Sequence, residues 1–376
     1  MIRVLITGSD GFIGRNLIAH LKTRPEVEIR CFTRRDSTDC LPSLLWGVDV
    51  VYHLAGVNRP LEPDEFREGN HRLTRLLCTL VHIEAKRLAR SISFVFSSST
   101  HAEFESEYGV SKRLAENEVL ALAGLNGIRP YVFRLPNVFG KWCKPNYNSF
   151  VATFCHNIAR DFPIDIHKPN ANVTLVYIDD VIREFVRLLP SPEVGPDPTG
   201  FRVVQPEYNS SVGEVAELLR QFRKSRSTLN VGDVGGGLAR ALYSTYLSYL
   251  QPNEFAYSVP RYQDSRGVFV EMVKTPRSGQ FSYFTAKPGV TRGRHYHHTK
   301  TEKFLVISGR ALFSFVSVAT NDAHEIEVSG EDGTIVESIP GWIHEVSNLG
   351  ANDLVVAIWA NEIFDRNLPD TFPGAR

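Results

Sequence analysis

Through the first half of the chain, short apolar runs alternate with longer segments of helical periodicity. Residues 4–7, 28–32, 48–53, 93–97 and 131–134 are strand-sized and largely apolar, as expected of strands covered on both faces. Between them, residues 13–23, 70–86 and 110–123 repeat their apolar positions with helical spacing. Strand and helix in alternation predict an α/β domain built on a doubly wound parallel sheet. Residues 190–200, rich in Pro and Gly, read as a surface excursion. Gly235, Gly236 and Gly237 precede a Tyr-rich helical stretch over 238–250 that closes this domain.

From about Phe255 the pattern changes to short alternating runs at 267–273, 279–285, 303–308, 310–318, 334–339 and 353–360, punctuated by Gly, Asp and Pro. Closely spaced strands without helices predict an antiparallel sandwich or barrel. The expected domains are therefore 1–250, α/β, and 251–376, all-β. No internal repeat or low-complexity segment interrupts them.

A chain of 376 residues is comfortable for two domains. Its formal net charge of zero and lack of a long basic run argue against nucleic acid or an anionic membrane surface as partner. The five cysteines, Cys31, Cys40, Cys78, Cys143 and Cys155, are odd in number and without C-x-x-C spacing, which fits a reducing cytosol rather than a disulfide framework. Residues 1–6 run straight into a Gly-rich loop with no signal peptide, and the longest apolar runs fall far short of a membrane span. A soluble cytoplasmic protein is expected.

Gly8, Gly11 and Gly14 follow the first strand and, with Phe12 and Ile13, open the first helix. Glycine there permits a tight turn and close approach to a pyrophosphate, whose charge the helix N-terminus holds. The second strand ends in Arg34 and Arg35, where an NAD site would carry an acid; a basic tip suits a 2′-phosphate and hence NADP(H). Tyr108 and Lys112 share a helix face, and a cation beside the phenol is expected to lower its pKa. A hydroxyl from the Ser97–Ser98–Ser99–Thr100 strand end can bond a carbonyl undergoing reduction. His53–Leu54–Ala55–Gly56, at the end of the third strand, adds Ala55 to the expected cofactor contacts.

This combination resembles the extended short-chain dehydrogenase/reductase family, whose members act on nucleotide sugars. The resemblance makes Ser99, with Thr100 or Ser98 as alternatives, the catalytic hydroxyl beside Tyr108 and Lys112, and places Asn137 near the sugar nucleotide. Sugar dehydratases of the family carry an Asp-Glu pair after the catalytic Thr. Here His101 and Ala102 follow Thr100, which favours simple hydride transfer over dehydration.

His295 and His297 lie one residue apart, so on a strand their imidazoles share a face, and Glu302 can return to the same point from the next strand. That is a metal-ligand layout. Gly289, His295, His297, Glu302 and Gly309 resemble the first cupin signature in spacing, and His344 with Asn348 the second, implying a cupin β-barrel. Three imidazoles and a carboxylate suit Zn²⁺ or another divalent first-row ion. Pro340–Gly341 is one residue tighter than the usual Pro-x-Gly, and His298 is open to a supporting or basic role.

A 4-keto sugar has acidic hydrogens on the carbons flanking its ketone, so C3 can be epimerised while the ketone stands and is fixed once it is reduced. The whole chain is similar to the bifunctional short-chain reductase–cupin enzymes of capsule and O-antigen synthesis, which help make UDP-N-acetyl-L-fucosamine. Residues 53–60, 139–149, 242–250, 297–300 and 302–306 carry that likeness. It implies C3 epimerisation of a UDP-linked 2-acetamido-2,6-dideoxy-4-keto-hexose in a zinc cupin. NADPH reduction of C4 to UDP-2-acetamido-2,6-dideoxy-L-talose follows, in a homodimer. The competing arrangement is a nucleotide-sugar C4 epimerase that retains its cofactor, with the cupin as a sugar-binding or dimerising module.

Overall fold

The computed structural model describes the chain except residues 61, 63, 126, 191–199, 299, 319, 339 and 375–376. The expected excursion at 190–200 lies almost wholly outside the described residues, as does the last position of the expected strand at 334–339. The chain divides into two compact units, residues 1–219 with 241–250 and residues 220–240 with 251–376. The second unit thus takes in a segment that the sequence boundary at 250/251 assigned to the first.

The first unit contains β1 (Ile2–Thr7), β2 (Val27–Phe32), β3 (Val50–His53), β4 (Ile92–Ser99), β5 (Ile128–Leu135), β6 (Asn137–Phe139), β7 (Asn172–Tyr177), β8 (Gly200–Arg202) and β9 (Tyr208–Ser211). Its main sheet runs β2-β1-β3-β4-β5-β8, parallel throughout. The strand order reverses between β1 and β3, and the crevice beyond the carboxyl ends of such strands is where a doubly wound fold takes its ligand. Val4, Leu5, Ile6, Val50, Val51 and Tyr52 are fully buried, which explains the unbroken apolar runs. The small sheet β6-β7-β9 lies outside the expected strands; it is short and carries polar residues at alternating positions.

Helices Phe12–Leu21, Leu73–Leu88 and Glu107–Leu120 occupy the expected helical stretches, the second preceded by a wider π turn over Arg67–Arg72. At the end of β3 the fully buried His53 places Nδ1 2.7 Å from the Thr7 hydroxyl and Nε2 2.8 Å from that of Thr74. Burial, aided by the charge of Lys112, pushes this imidazole down to about 3, so it is a neutral strut between β1 and the helix that covers the sheet.

The second unit contains β10 (Arg261–Asp264), β11 (Gly267–Thr275), β12 (Gly279–Ala286), β13 (Thr291–Tyr296), β14 (Glu302–Ser308), β15 (Arg310–Ser317), β16 (Ala323–Ser329), β17 (Ile335–Glu337), β18 (Trp342–Asn348), β19 (Leu354–Ala360) and β20 (Phe372–Pro373). They form two sheets, β10-β11-β12-β19-β14-β17 and β16-β15-β18-β13-β20. Phe284, Phe304, Val306 and Val356 from the first pack with Phe313, Phe315, Val328 and Val346 from the second, a core consistent with the expected cupin barrel. Strands β16 and β18 lie outside the expected runs: Glu325 and Glu327 dilute the apolar signal of the first, and the inward His344 and Asn348 that of the second. Residues 220–240 join this unit through main-chain bonds: Val231 N–H donates to the Lys274 carbonyl and Lys274 N–H to that of Leu229.

Candidate active site and metal centre

The loop after β1 turns at Gly8, whose φ is +66°, and a Cβ there would stand 2.7 Å from the Ala55 nitrogen. A Cβ on Gly14 would lie 2.3 Å from the Gly8 carbonyl oxygen, so helix and loop touch backbone to backbone. Gly11 caps the helix Phe12–Leu21 without a side-chain bond, leaving the first-turn N–H groups to an anionic ligand. This cradle fits a dinucleotide pyrophosphate.

The loop opens into a cleft of 1190 Å³. Gly8, Gly11, Phe12, Ile13, Gly14, Arg34, Ala55, Ser99, Tyr108, Lys112 and Asn137 all line it. Thr100 and Ser98 line it too, but Ser98 is buried with its hydroxyl given to Glu116. Ser99 is the hydroxyl of the three that acts on Tyr108, lowering its pKa against the effect of burial. Arg35, exposed one residue beyond Arg34, does not line the cleft. Asp36 closes this turn, its carboxylate accepting the Thr33 N–H at 2.7 Å and the Thr33 hydroxyl at 2.8 Å. Asn137 donates from Nδ2 to the Thr174 carbonyl at 3.1 Å, which ties it to β7.

The phenol of Tyr108 departs from expectation. Burial pushes its pKa up, and the hydrogen bond with Ser99 works against that rise. Lys112 does not reverse it, and its Nζ donates to the Ser97 carbonyl at 2.9 Å. The ammonium is itself brought down to about 8 by burial, with Glu116 holding it up. Glu116, one helical turn beyond Lys112, is the residue sequence reasoning missed. It is 1% exposed and accepts from the Ser98 hydroxyl at 2.5 Å. Its signal was the four-residue step that joins Tyr108, Lys112 and Glu116 on one helix face.

One wall of the cleft comes from residues 139–149, with Trp142 and Tyr147 among them. Arg15 and Lys141 lie 5.7 and 5.6 Å from the Trp142 ring, and Arg59 and Lys144 lie 5.8 and 5.4 Å from that of Tyr147. Aromatic faces flanked by cations suit a nucleotide base and its phosphates.

In the second unit His295, His297, Glu302 and His344 come together, with one ligand atom from each and all four atoms within 4.8 Å of one another. His295 and His344 pair across β13 and β18, beside a bulge in which Gly293 and Arg294 adopt φ of +94° and +68°. His297 lies just past β13, and Glu302 opens β14. His297 Nε2 and His344 Nε2 each stand 3.3 Å from Glu302 Oε2. Burial alone would raise the Glu302 carboxyl, but His297 and His344 outweigh it and hold it below the usual carboxylate range. Burial, with the neighbouring His344, brings His295 down to about 4, so its imidazole is neutral near pH 7.

His344 Nδ1 is buried without a hydrogen-bond partner among the described residues, and Nε2, though 3.3 Å from Glu302 Oε2, makes no well-aligned hydrogen bond to it. Native structures rarely leave such atoms orphaned, and an ion at the centre of the four donors would satisfy one of them. The donor set therefore fits a divalent first-row metal. The His298 ring instead packs on Phe372, centroids 4.6 Å apart, and on Tyr296 at 5.5 Å.

Residues 4–203 match the NAD dependent epimerase/dehydratase family, and residues 262–372 match the polysaccharide biosynthesis C-terminal domain. A Pseudomonas aeruginosa protein described as UDP-2-acetamido-2,6-beta-L-arabino-hexul-4-ose reductase is 53% identical over 372 residues, 99% of this chain and 98% of its own length. Among solved structures, the capsular polysaccharide assembling protein CapF of Staphylococcus aureus aligns over 100% of both chains with a TM-score of 0.88 and 36% identity. UDP-glucuronic acid 4-epimerase of Bacillus cereus, solved with NAD, shares the fold at a TM-score of 0.53 and 18% identity, over 66% of this chain and 98% of its own.

Proposed function

The chain belongs to the NAD dependent epimerase/dehydratase family, and from that premise we propose that it reduces the C4 ketone of a UDP-2-acetamido-2,6-dideoxy-4-hexulose in surface-polysaccharide synthesis. NADPH is the reductant, and C3 is epimerised beforehand at a zinc centre formed by His295, His297, Glu302 and His344. The product is UDP-2-acetamido-2,6-dideoxy-L-talose, and the working form is a cytoplasmic homodimer. The carrying observation is the convergence of Ser99, Tyr108 and Lys112 with the glycine cradle on one cleft. The reductase name and near-complete coverage of the P. aeruginosa relative support the substrate class.

When bound, the nicotinamide supplies a hydride and the divalent ion supplies Lewis acidity toward a ketone. Tyr108, kept protonated by burial, gives its proton to the C4 oxygen as negative charge develops there. Ser99 hydrogen-bonds the phenol and fixes its direction. Lys112, anchored on the Ser97 carbonyl, places a positive charge beside the reacting carbonyl. Trp142, Tyr147 and their flanking cations hold the nucleotide. The substrate's own ketone acidifies C3, so stereochemistry there can change only before reduction.

Incubation of the enzyme with the 4-keto substrate in deuterated water, with and without NADPH and followed by NMR, tests this reading. One NADPH should be oxidised per 6-deoxy-L-talo product, and deuterium should enter C3 without NADPH. Turnover with no net oxidation of NADPH would instead establish an epimerase that regenerates its cofactor.

A further inference from the structure

The metal centre is assembled from a stretch of about fifty residues, yet its closest polar support comes from the far end of the chain. Residues 372–373 pair with β13 as β20, setting Pro373 opposite His295 and Phe372 opposite Tyr296. Just before them, the main-chain carbonyl of Asp370 accepts from His297 Nδ1 at 2.5 Å, across 73 residues of sequence. The Asp370 carboxylate accepts two further bonds from the same turn, the N–H of His298 on Oδ1 at 3.0 Å and that of Lys300 on Oδ2 at 2.8 Å.

We propose that this terminal segment, acting through Asp370, is a positioning element of the metal centre that holds His297 in its ligating orientation. The inference rests on the reading of His295, His297, Glu302 and His344 as a divalent-metal site.

An imidazole can ligate through one nitrogen only if the other is turned away, and the partner of that second nitrogen decides which is which. A carbonyl can only accept, so the Asp370 bond keeps a proton on His297 Nδ1 and leaves Nε2, 3.3 Å from Glu302 Oε2, as the nitrogen turned to the ligand cluster. The carboxylate meanwhile fixes the main chain on which His297 rides, between that ring and Glu302. The bond is reciprocated. Lys300 is 5% exposed and sends Nζ back to the Pro369 carbonyl at 3.2 Å and the Thr371 hydroxyl at 3.1 Å. Asp370 itself sits at φ +38°, a backbone conformation that costs a non-glycine residue energy and persists where its surroundings dictate it. Three bonds from one residue to the segment behind a ligand, paired with a strained backbone, distinguish a built support from a tail lying on a barrel.

The test is metal affinity of the full-length protein, measured with Zn²⁺ by competition against a chromogenic chelator and with Co²⁺ by its visible absorption. Asp370→Ala keeps the main-chain carbonyl but removes the two carboxylate bonds that hold it against His297, and should weaken binding by about 10-fold and alter the Co²⁺ bands. Asp370→Asn, which keeps the shape and one good acceptor, should fall between it and the unsubstituted protein and serves as the readout where the alanine variant does not fold. Unchanged affinity and spectrum in the folded variants would overturn the inference, as would a loss of apoprotein thermal stability with no change in affinity. His344→Ala separates the two layers: if it binds Zn²⁺ as the unsubstituted protein does, the metal reading itself fails, and Asp370 falls with it.

Discussion

Glu116 and Arg134 are joined by a two-bond fork, 3.0 Å from Nε to Oε1 and 2.7 Å from Nη2 to Oε2, on the helix face that also bears Tyr108 and Lys112. The same carboxylate accepts from Ser98, one residue before the Ser99 hydroxyl. It therefore ties the helix Glu107–Leu120 to β4 and β5 together, and it is the charge that holds the Lys112 ammonium up against its burial. Glu116→Gln should lower stability by roughly 1–3 kcal/mol, since a buried fork loses its charge and one good acceptor. The Lys112 ammonium exists below about 8 and is lost above it; without Glu116 it is lost at lower pH. The alkaline limb of kcat/KM for NADPH-dependent reduction should move to lower pH in the variant. An unmoved limb with reduced stability would leave Glu116 as a strut only.

The two chemistries should be separable by substitution. Tyr108→Phe removes the proton donor for C4 and should cut NADPH oxidation by about 10²–10⁴-fold while C3 deuterium exchange continues. Glu302→Ala, or chelation of the metal, should do the reverse for exchange. Loss of exchange in Tyr108→Phe as well would count against independent sites.

Arg34 lines the cleft and Arg35 does not, which divides a pair the sequence could not divide. Arg34→Ala should reduce the preference for NADPH over NADH by about 10–100-fold, the scale of losing a charged hydrogen bond of about 1.5–3 kcal/mol. Arg35→Ala should leave the ratio close to that of the parent. Initial rates with each coenzyme over a concentration series give the comparison.

Gly14→Ala puts a methyl 2.3 Å from the Gly8 carbonyl, inside van der Waals contact with backbone that cannot swing aside. A destabilisation of about 1–3 kcal/mol is expected from overpacking, together with weakened coenzyme binding as the loop is forced outward. Thermal melts with and without NADPH should show a smaller coenzyme-induced rise in Tm than the parent shows.

What could be read in advance follows from how far each signal reaches along the chain. Strands β1 to β5 were visible because a sheet covered on both faces writes itself as unbroken apolar runs. Tyr108 and Lys112 lie within one helical turn, and His295, His297 and Glu302 within eight residues, so spacing alone brought each set together. Asp370 is 73 residues from the His297 ring that it bonds, and no local pattern marks it. Burial also escaped the sequence: the spacing of Tyr108 and Lys112 suggested an acidified phenol, whereas the enclosing pocket raises its pKa. β18 supplies His344 but was not among the expected strands, because of its inward residues His344, Val346 and Asn348 only one is apolar.

The chain's route through its two units sets a limit on how these chemistries can be inherited. It passes from one unit to the other at 219/220, returns at 240/241 and leaves again at 250/251, with the first passage inside the helix Val212–Thr228. End-to-end joining of two genes produces a single junction, and a single cut recovers both parents. Here any one cut strands a segment of one unit on the other's fragment: severed at 250/251, the carboxyl-terminal piece loses 220–240 and the main-chain bonds that Leu229 and Val231 make to Lys274. The two units are thus a poor pair of interchangeable parts, and exchange with other lineages would have to move both together.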